Sequence, residues 1–122
     1  MVLCSFLKTS LVMVTIDFMY LFSVKSYFEN QITKVQKSLL KINVFAIFCC
    51  YVFLVLGLNY FIIIQKKTPI EAFFLGMFVY GVYETTNWSL FSNWKFQTVL
   101  MDTIWGGILF FLTTVIVQHL GP

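Results

Sequence analysis

The sequence predicts an all-α fold: an integral membrane four-helix bundle, running up-down-up-down, with a buried acidic–aromatic layer. Three observations predict it. Hydrophobic residues make up 60% of the 122 residues and charged residues 11%, against about 25% charged in a soluble domain. The apolar residues gather into four runs separated by short charged stretches, each meeting the ~20 residues a helix needs to cross a bilayer. Three carboxylic acids, Asp17, Glu84 and Asp102, lie inside those runs rather than between them. An ionised acid at such a depth costs roughly 3 kcal/mol, so three of them require compensation.

The length places everything in one transmembrane domain, residues 1–122. The first span is expected at about 3–24, with Lys8 near its start and Lys25 just beyond its end. Asp17 in the middle of this run, with no small-residue cleavage site after it, argues for a retained span rather than a leader. The second, about 42–64, is 23 residues without a charge. The third, about 70–92, contains Glu84, and Pro69 before it suits a first helical turn. The fourth, about 96–118, contains Asp102. Helix is required because a lone strand would leave its backbone unpaired in lipid.

The connections agree. "KSYFENQITKVQKSLLK" (25–41) is polar enough to lie in water or at the interface, "QKKTP" (65–69) stops the second span, and "SNWK" (92–95) is a tight turn that makes the last two spans an antiparallel hairpin. Trp88, Trp94 and Tyr27 flank span ends, where amphipathic rings favour the interface. The side that receives 25–41 and 92–95 carries Lys25, Lys34, Lys37, Lys41 and Lys95; the other has Lys8, Lys66 and Lys67. That bias favours the first side as cytoplasmic and both termini opposite.

Other chemistries are excluded by what the chain lacks. All eight basic residues are lysines, which excludes an Arg-rich phosphate or nucleic-acid surface. Cys4, Cys49 and Cys50 form no C-x-x-C and no zinc spacing with the single His; they read as small packing residues. No pattern calls for a metal or cofactor. The expected partner is membrane lipid. The sequence leaves open whether the chain forms a homo-oligomer and which small molecule, if any, it holds.

The acids share a depth. Glu84 lies nine residues before Asn93 at the tip of the turn, Asp102 nine after it, and Asp17 eight before Lys25. At about 1.5 Å per residue, all three lie about 12–14 Å beneath one membrane face. Cys49, Cys50 and Tyr51 of the second span reach the same level. Tyr80, Glu84, Asn87 and Trp88 share one helical face; Asp102, Trp105 and Gly106 share another; so do Asp17, Tyr20 and Leu21. Each acid thus has a hydrogen-bond donor on its own helix face. Gly106 and Gly107 are expected to admit a second backbone closely. With no lysine in the layer, three close carboxylates cannot all stay ionised: either one or more is protonated, or a cation is bound. Carboxylate, amide and hydroxyl suit a proton or hard cation, not zinc. The simpler account is interhelical glue, worth about 0.6 kcal/mol per contact; three acids exceed what glue requires. Asn59 reads as a lone packing residue, His119 lies far from the layer, and Thr85 and Thr86 are expected to bond back to their own helix.

"YGVYETTNWSLFSNWKFQTVLMDTIWGG" (80–107) resembles a known family, the small four-span membrane proteins of domain of unknown function 2177. Its members carry Y-x-x-Y-D-L-T-N, a Trp about seven residues on, then V-D-x-x-W-G. Tyr80, Tyr83, Thr86, Asn87, Trp94, Asp102, Trp105 and Gly106 match, and Asp17 fits the acid typical of the first span. Glu84 stands where the family has Asp, Thr85 for its Leu, and Lys95 for the Pro after the Trp. The resemblance implies a fold and a membrane location, either a bacterial cytoplasmic membrane or a viral or host membrane, and no activity. It adds Tyr83 to the candidate polar site of Asp17, Tyr80, Glu84, Asn87, Asp102 and Trp105. Three functions stay open: a membrane module whose carboxylate layer binds a proton, small cation or lipid headgroup; an acid/base enzyme on a lipid-like substrate; and a structural membrane or viral envelope component.

Overall fold

A computed structural model describes residues 2–36 and 43–121. Among them there are five helices and no strand: α1 (Val2–Ser23), α2 (Lys25–Gln36), α3 (Val44–Leu58), α4 (Pro69–Leu90) and α5 (Phe96–Leu120). α3 runs on without a break into a π-helical turn, Asn59–Ile63. Three stretches are long and apolar enough to cross a membrane: Leu3–Ser23, Val44–Ile63 and Phe96–Leu120. α4 takes the place of the expected third span but is not one of these three. Its last turns carry Glu84, Thr85, Thr86, Asn87 and Ser89, which dilute an otherwise apolar helix.

Local signals set the helix boundaries. Asn43 caps α3, its side chain accepting the Ala46 amide at 3.1 Å. Ile42, where the second span was expected to begin, and Lys37 and Lys41 of the orientation argument lie outside the described residues. Thr68 and Glu71 form a capping box ahead of Pro69 at the start of α4. Lys25–Gln36, expected as a connection, is a helix. It contains no Gly or Pro, and it carries Tyr27, Phe28, Gln31 and Ile32 on one face.

The helices alternate in direction where they touch. Tyr80 meets Gly106 and Phe110, Gly81 meets Thr103, and Trp88 meets Phe96, so α4 and α5 are antiparallel. Asp17 meets Trp105 while Lys8 bonds the Gly121 carbonyl at 2.9 Å, so α1 and α5 are antiparallel too. α3 opposes α1 in the same way, with Tyr51 at Asp17 and Asn59 at Ser5 and Thr9.

The α4–α5 seam is backbone against backbone. A Cβ on Gly76 would sit 2.2 Å from the Gly106 carbonyl oxygen, and one on Gly106 would sit 2.3 Å from the Tyr80 ring. Glycine here permits the dispersion contact that drives helix association in lipid. A buried cluster of Met13, Val55, Leu58, Ile62, Ala72, Leu109 and Phe110 fills the half of the molecule nearer the termini. Many large apolar side chains face outward, Leu11, Phe22, Phe45, Phe53 and Phe78 among them, as a surface solvated by acyl chains requires.

The seam makes a direct prediction. Gly76→Ala lowers stability by about 1–3 kcal/mol through overpacking, whereas Gly57→Ala, whose Cβ would meet nothing within 4 Å, does not. Thermal denaturation of both variants in one detergent separates them; equal midpoints would mean that the close approach is not made.

Candidate functional site

The three acids of the spans are buried: Asp17 is 6% exposed, Glu84 0% and Asp102 7%. Each has an aromatic donor, but not the one on its own helix face. Asp17 of α1 accepts the Trp105 indole N–H of α5 at 2.9 Å and also the Tyr51 hydroxyl of α3. Asp102 of α5 accepts the Tyr20 hydroxyl of α1 at 3.5 Å. The two helices exchange donors: each presents an acid with an aromatic three residues on, and the antiparallel crossing sets each aromatic against the other helix's acid. The Tyr20 and Trp105 rings stack between them, centroids 4.2 Å apart and 5° from parallel.

Glu84 is held differently. Its Oε1 accepts the Trp94 indole N–H at 2.8 Å, and Trp94 is itself buried, folded back from the turn that follows α4. Glu84 Oε2 is sealed from solvent, and no N–H or hydroxyl donates to it. The Asp102 carboxyl is its close neighbour, and a carboxyl can satisfy another carboxylate only when it carries a proton. This is the unfinished contact of the site.

All three acids line one cavity of about 410 Å³, together with Tyr20, Tyr80, Tyr83 and Trp94. Its outer end is covered by α2, which contributes Lys25, Phe28, Glu29 and Ile32 to the lining. α2 is pinned there by Gln31, buried, whose amide donates to the Asn93 carbonyl and whose oxygen accepts the Thr98 hydroxyl at 3.0 Å. Tyr27 and Thr98 share a further hydroxyl–hydroxyl bond of 2.6 Å. No group of three or more His, Cys, Asp or Glu among the described residues is arranged to hold a metal ion.

The family described as "Predicted membrane protein (DUF2177)" matches residues 2–118. The chain belongs to this family. No curated protein and no solved structure matches it.

Asp17, Glu84, Asp102, Tyr80 and Tyr83 come together around the cavity. Trp105 joins them through Asp17 rather than through Asp102. Asn87, expected to serve Glu84, instead pairs with the hydroxyl of Tyr83. Tyr83 is 56% exposed and stands at the cavity rim. Gly106 lies in the α4–α5 seam as expected, and Gly107 packs close to Met77 and Phe73. Thr85 and Thr86 bond back to the carbonyls of Gly81 and Val82. Asn59 is not alone, since it accepts Ser5 and Thr9 hydroxyls at 2.9 and 3.0 Å. Cys50 is exposed and Cys49 half-buried, both free thiols.

Trp94 is the residue the sequence reading misplaced. Its position beside the turn suggests an interfacial ring, and it is the buried donor to Glu84 instead. The signal was available: Trp94 is part of the spaced signature, which an interfacial anchor has no need to be. Gln31 and Thr98 carried no such signal.

The Trp94 bond can be tested by a double-mutant cycle. Trp94→Phe lowers stability by about 1–3 kcal/mol, because it strands a buried carboxylate oxygen. In a Glu84→Met background the same substitution costs much less. Additive losses in thermal unfolding would show that the two side chains do not act together.

Proposed function

We propose that this chain is a multi-pass membrane protein with four crossing helices, α1, α3, α4 and α5, running up-down-up-down, and that its carboxyl chamber binds a ligand carrying positive charge or hydrogen-bond donors. The antiparallel contacts support the first part: α4 lies along the whole inner length of α5, a helix apolar enough to span. The shared end of α2 and the 91–95 turn supports the lysine-based orientation with that end cytoplasmic. The membrane is a bacterial cytoplasmic one or a viral or host one, as the family resemblance implies.

The observation that carries the second part is the meeting of three buried carboxyl groups, Asp17, Glu84 and Asp102, on one cavity whose lining holds a single lysine, Lys25. Close carboxyl groups disfavour one another's ionised forms, so a ligand that brings positive charge or hydrogen-bond donors to them gains energy on binding. The volume, about 410 Å³, falls among small-molecule sites of about 300–1,000 Å³ and exceeds what a bare proton or ion needs. A headgroup-sized donor fits best. An acid/base enzyme is the second reading, favoured by the adjacent carboxyls of Glu84 and Asp102. Such a pair divides into proton donor and acceptor when one ionises.

Ethylamine is the simplest probe of the chamber. It should raise the unfolding midpoint of the purified protein saturably, by about 2.7 kcal/mol of stability at 100 times its Kd, while sodium at equal ionic strength does not. Glu84→Gln should fold and lose most of this response. A Glu84→Gln protein that responds like the parent would remove the chamber from consideration as a binding site.

A further inference from the structure

A second cavity adjoins the first. It has a volume of about 440 Å³ and lies between α3 and α4, lined by Cys50, Phe53, Leu54, Val79, Tyr80 and Tyr83. Tyr80 and Tyr83 line both. The second is apolar and faces outward, for Phe53, Val79 and Tyr83 are all exposed. α3 and α4 are thus parted at the depth of the acids, and the parting leads to them past two tyrosines.

The other approach is partly covered. On the headgroup side the chamber is roofed by α2, and α2 is tied to the 93–98 segment through Gln31 and Tyr27. A ligand from water would pass the ion-paired Lys25 and Glu29 side chains; one already dissolved in the bilayer would enter past apolar ones. The charge pattern fixes the polarity of the ligand. Three carboxyls face the chamber, and the one lysine in its lining, Lys25, lies 3.9 Å from Glu29.

We infer that the chamber takes a single-chain cationic amphiphile from within the membrane, its amine among Asp17, Glu84 and Asp102 and its alkyl chain in the crevice between α3 and α4. The ammonium brings N–H donors and positive charge to a layer lined by three acids. Three N–H groups on one nitrogen can reach several carboxyl oxygens at once, whereas a carboxylic proton bridges a single pair. The hydroxyls of Tyr80 and Tyr83 stand where chain meets headgroup, the place an amphipathic ring prefers. This rests on the chamber reading above and adds to it the route and the ligand class.

The full chain in lipid nanodiscs tests it with two probes, dodecylamine and ethylamine, each titrated against the unfolding midpoint. Val79→Trp fills the crevice without touching the acids. It should weaken dodecylamine about tenfold or more while leaving ethylamine within about twofold. Comparing variant with parent removes the partition of dodecylamine into the bilayer, which is the same for both. Cys50→Phe blocks the crevice from α3 and should act alike; retained ethylamine binding reports that either variant has folded. If ethylamine binds and dodecylamine is unaffected by both substitutions, the lateral route is wrong and the chamber stands. If neither amine binds the parent, the chamber reading fails and this inference with it.

Discussion

A carboxyl group beneath a membrane surface needs a donor, and no water is at hand to provide one. The architecture of this chain follows from how that need is met. Asp17 and Asp102 are each followed three residues later by an amphipathic aromatic, and antiparallel crossing of α1 and α5 lets the helices trade donors. The exchange works only in that direction. In a parallel pair each aromatic would lie about one turn beyond the opposite acid. The ring stack between the two bonds then fixes how far one helix can slide along the other. Per contact such bonds are weak in membranes, about 0.6 kcal/mol; what they enforce is register, because a slip would strand two acids at once.

The gross plan was legible because it depends on runs of apolar residues and on counting along single helices. The common level of Asp17, Glu84 and Asp102 follows from three distances measured along the chain, and one cavity now holds all three. The pairing of donors with acids was not legible, since residue spacing reports only which side chains share a face of the same helix. Asn87 and Trp105 were therefore assigned to the nearest acid in sequence, and both turn to other partners. α2 was hidden for a related reason. Its polarity is that of a loop, and its helical pattern shows only when Tyr27, Phe28, Gln31 and Ile32 are read as one buried face against α5 and the turn. The π-helical turn at Asn59 has no single-residue signature at all; it brings Asn59 Oδ1 to two hydroxyls of α1.

α4 shows why hydropathy alone misjudges a helix in a bundle. Its polar residues are each disposed of without lipid having to solvate them. Glu84 turns inward to Trp94. Thr85 and Thr86 face outward, yet their hydroxyls return to backbone carbonyls one turn back at 2.6 Å, so the surface they show is mostly methyl. What holds α4 in place is the glycine seam with α5, which needs no apolar excess, only closeness.

The two halves of the molecule divide their tasks accordingly. Toward the termini the interior is filled: Phe110, Leu109, Leu58 and Met13 interlock, and the glycine contact lies alongside. Toward the α4–α5 turn the interior holds a cavity lined by three acids. Acids buried together cost a small bundle stability, and a chain selected for stability alone would replace them with leucines. The filled half supplies the excess stability that lets the other half remain unfilled. Sites that break the local rules of packing in this way are where function is to be sought. Here the acid layer is bounded by residues of the family signature.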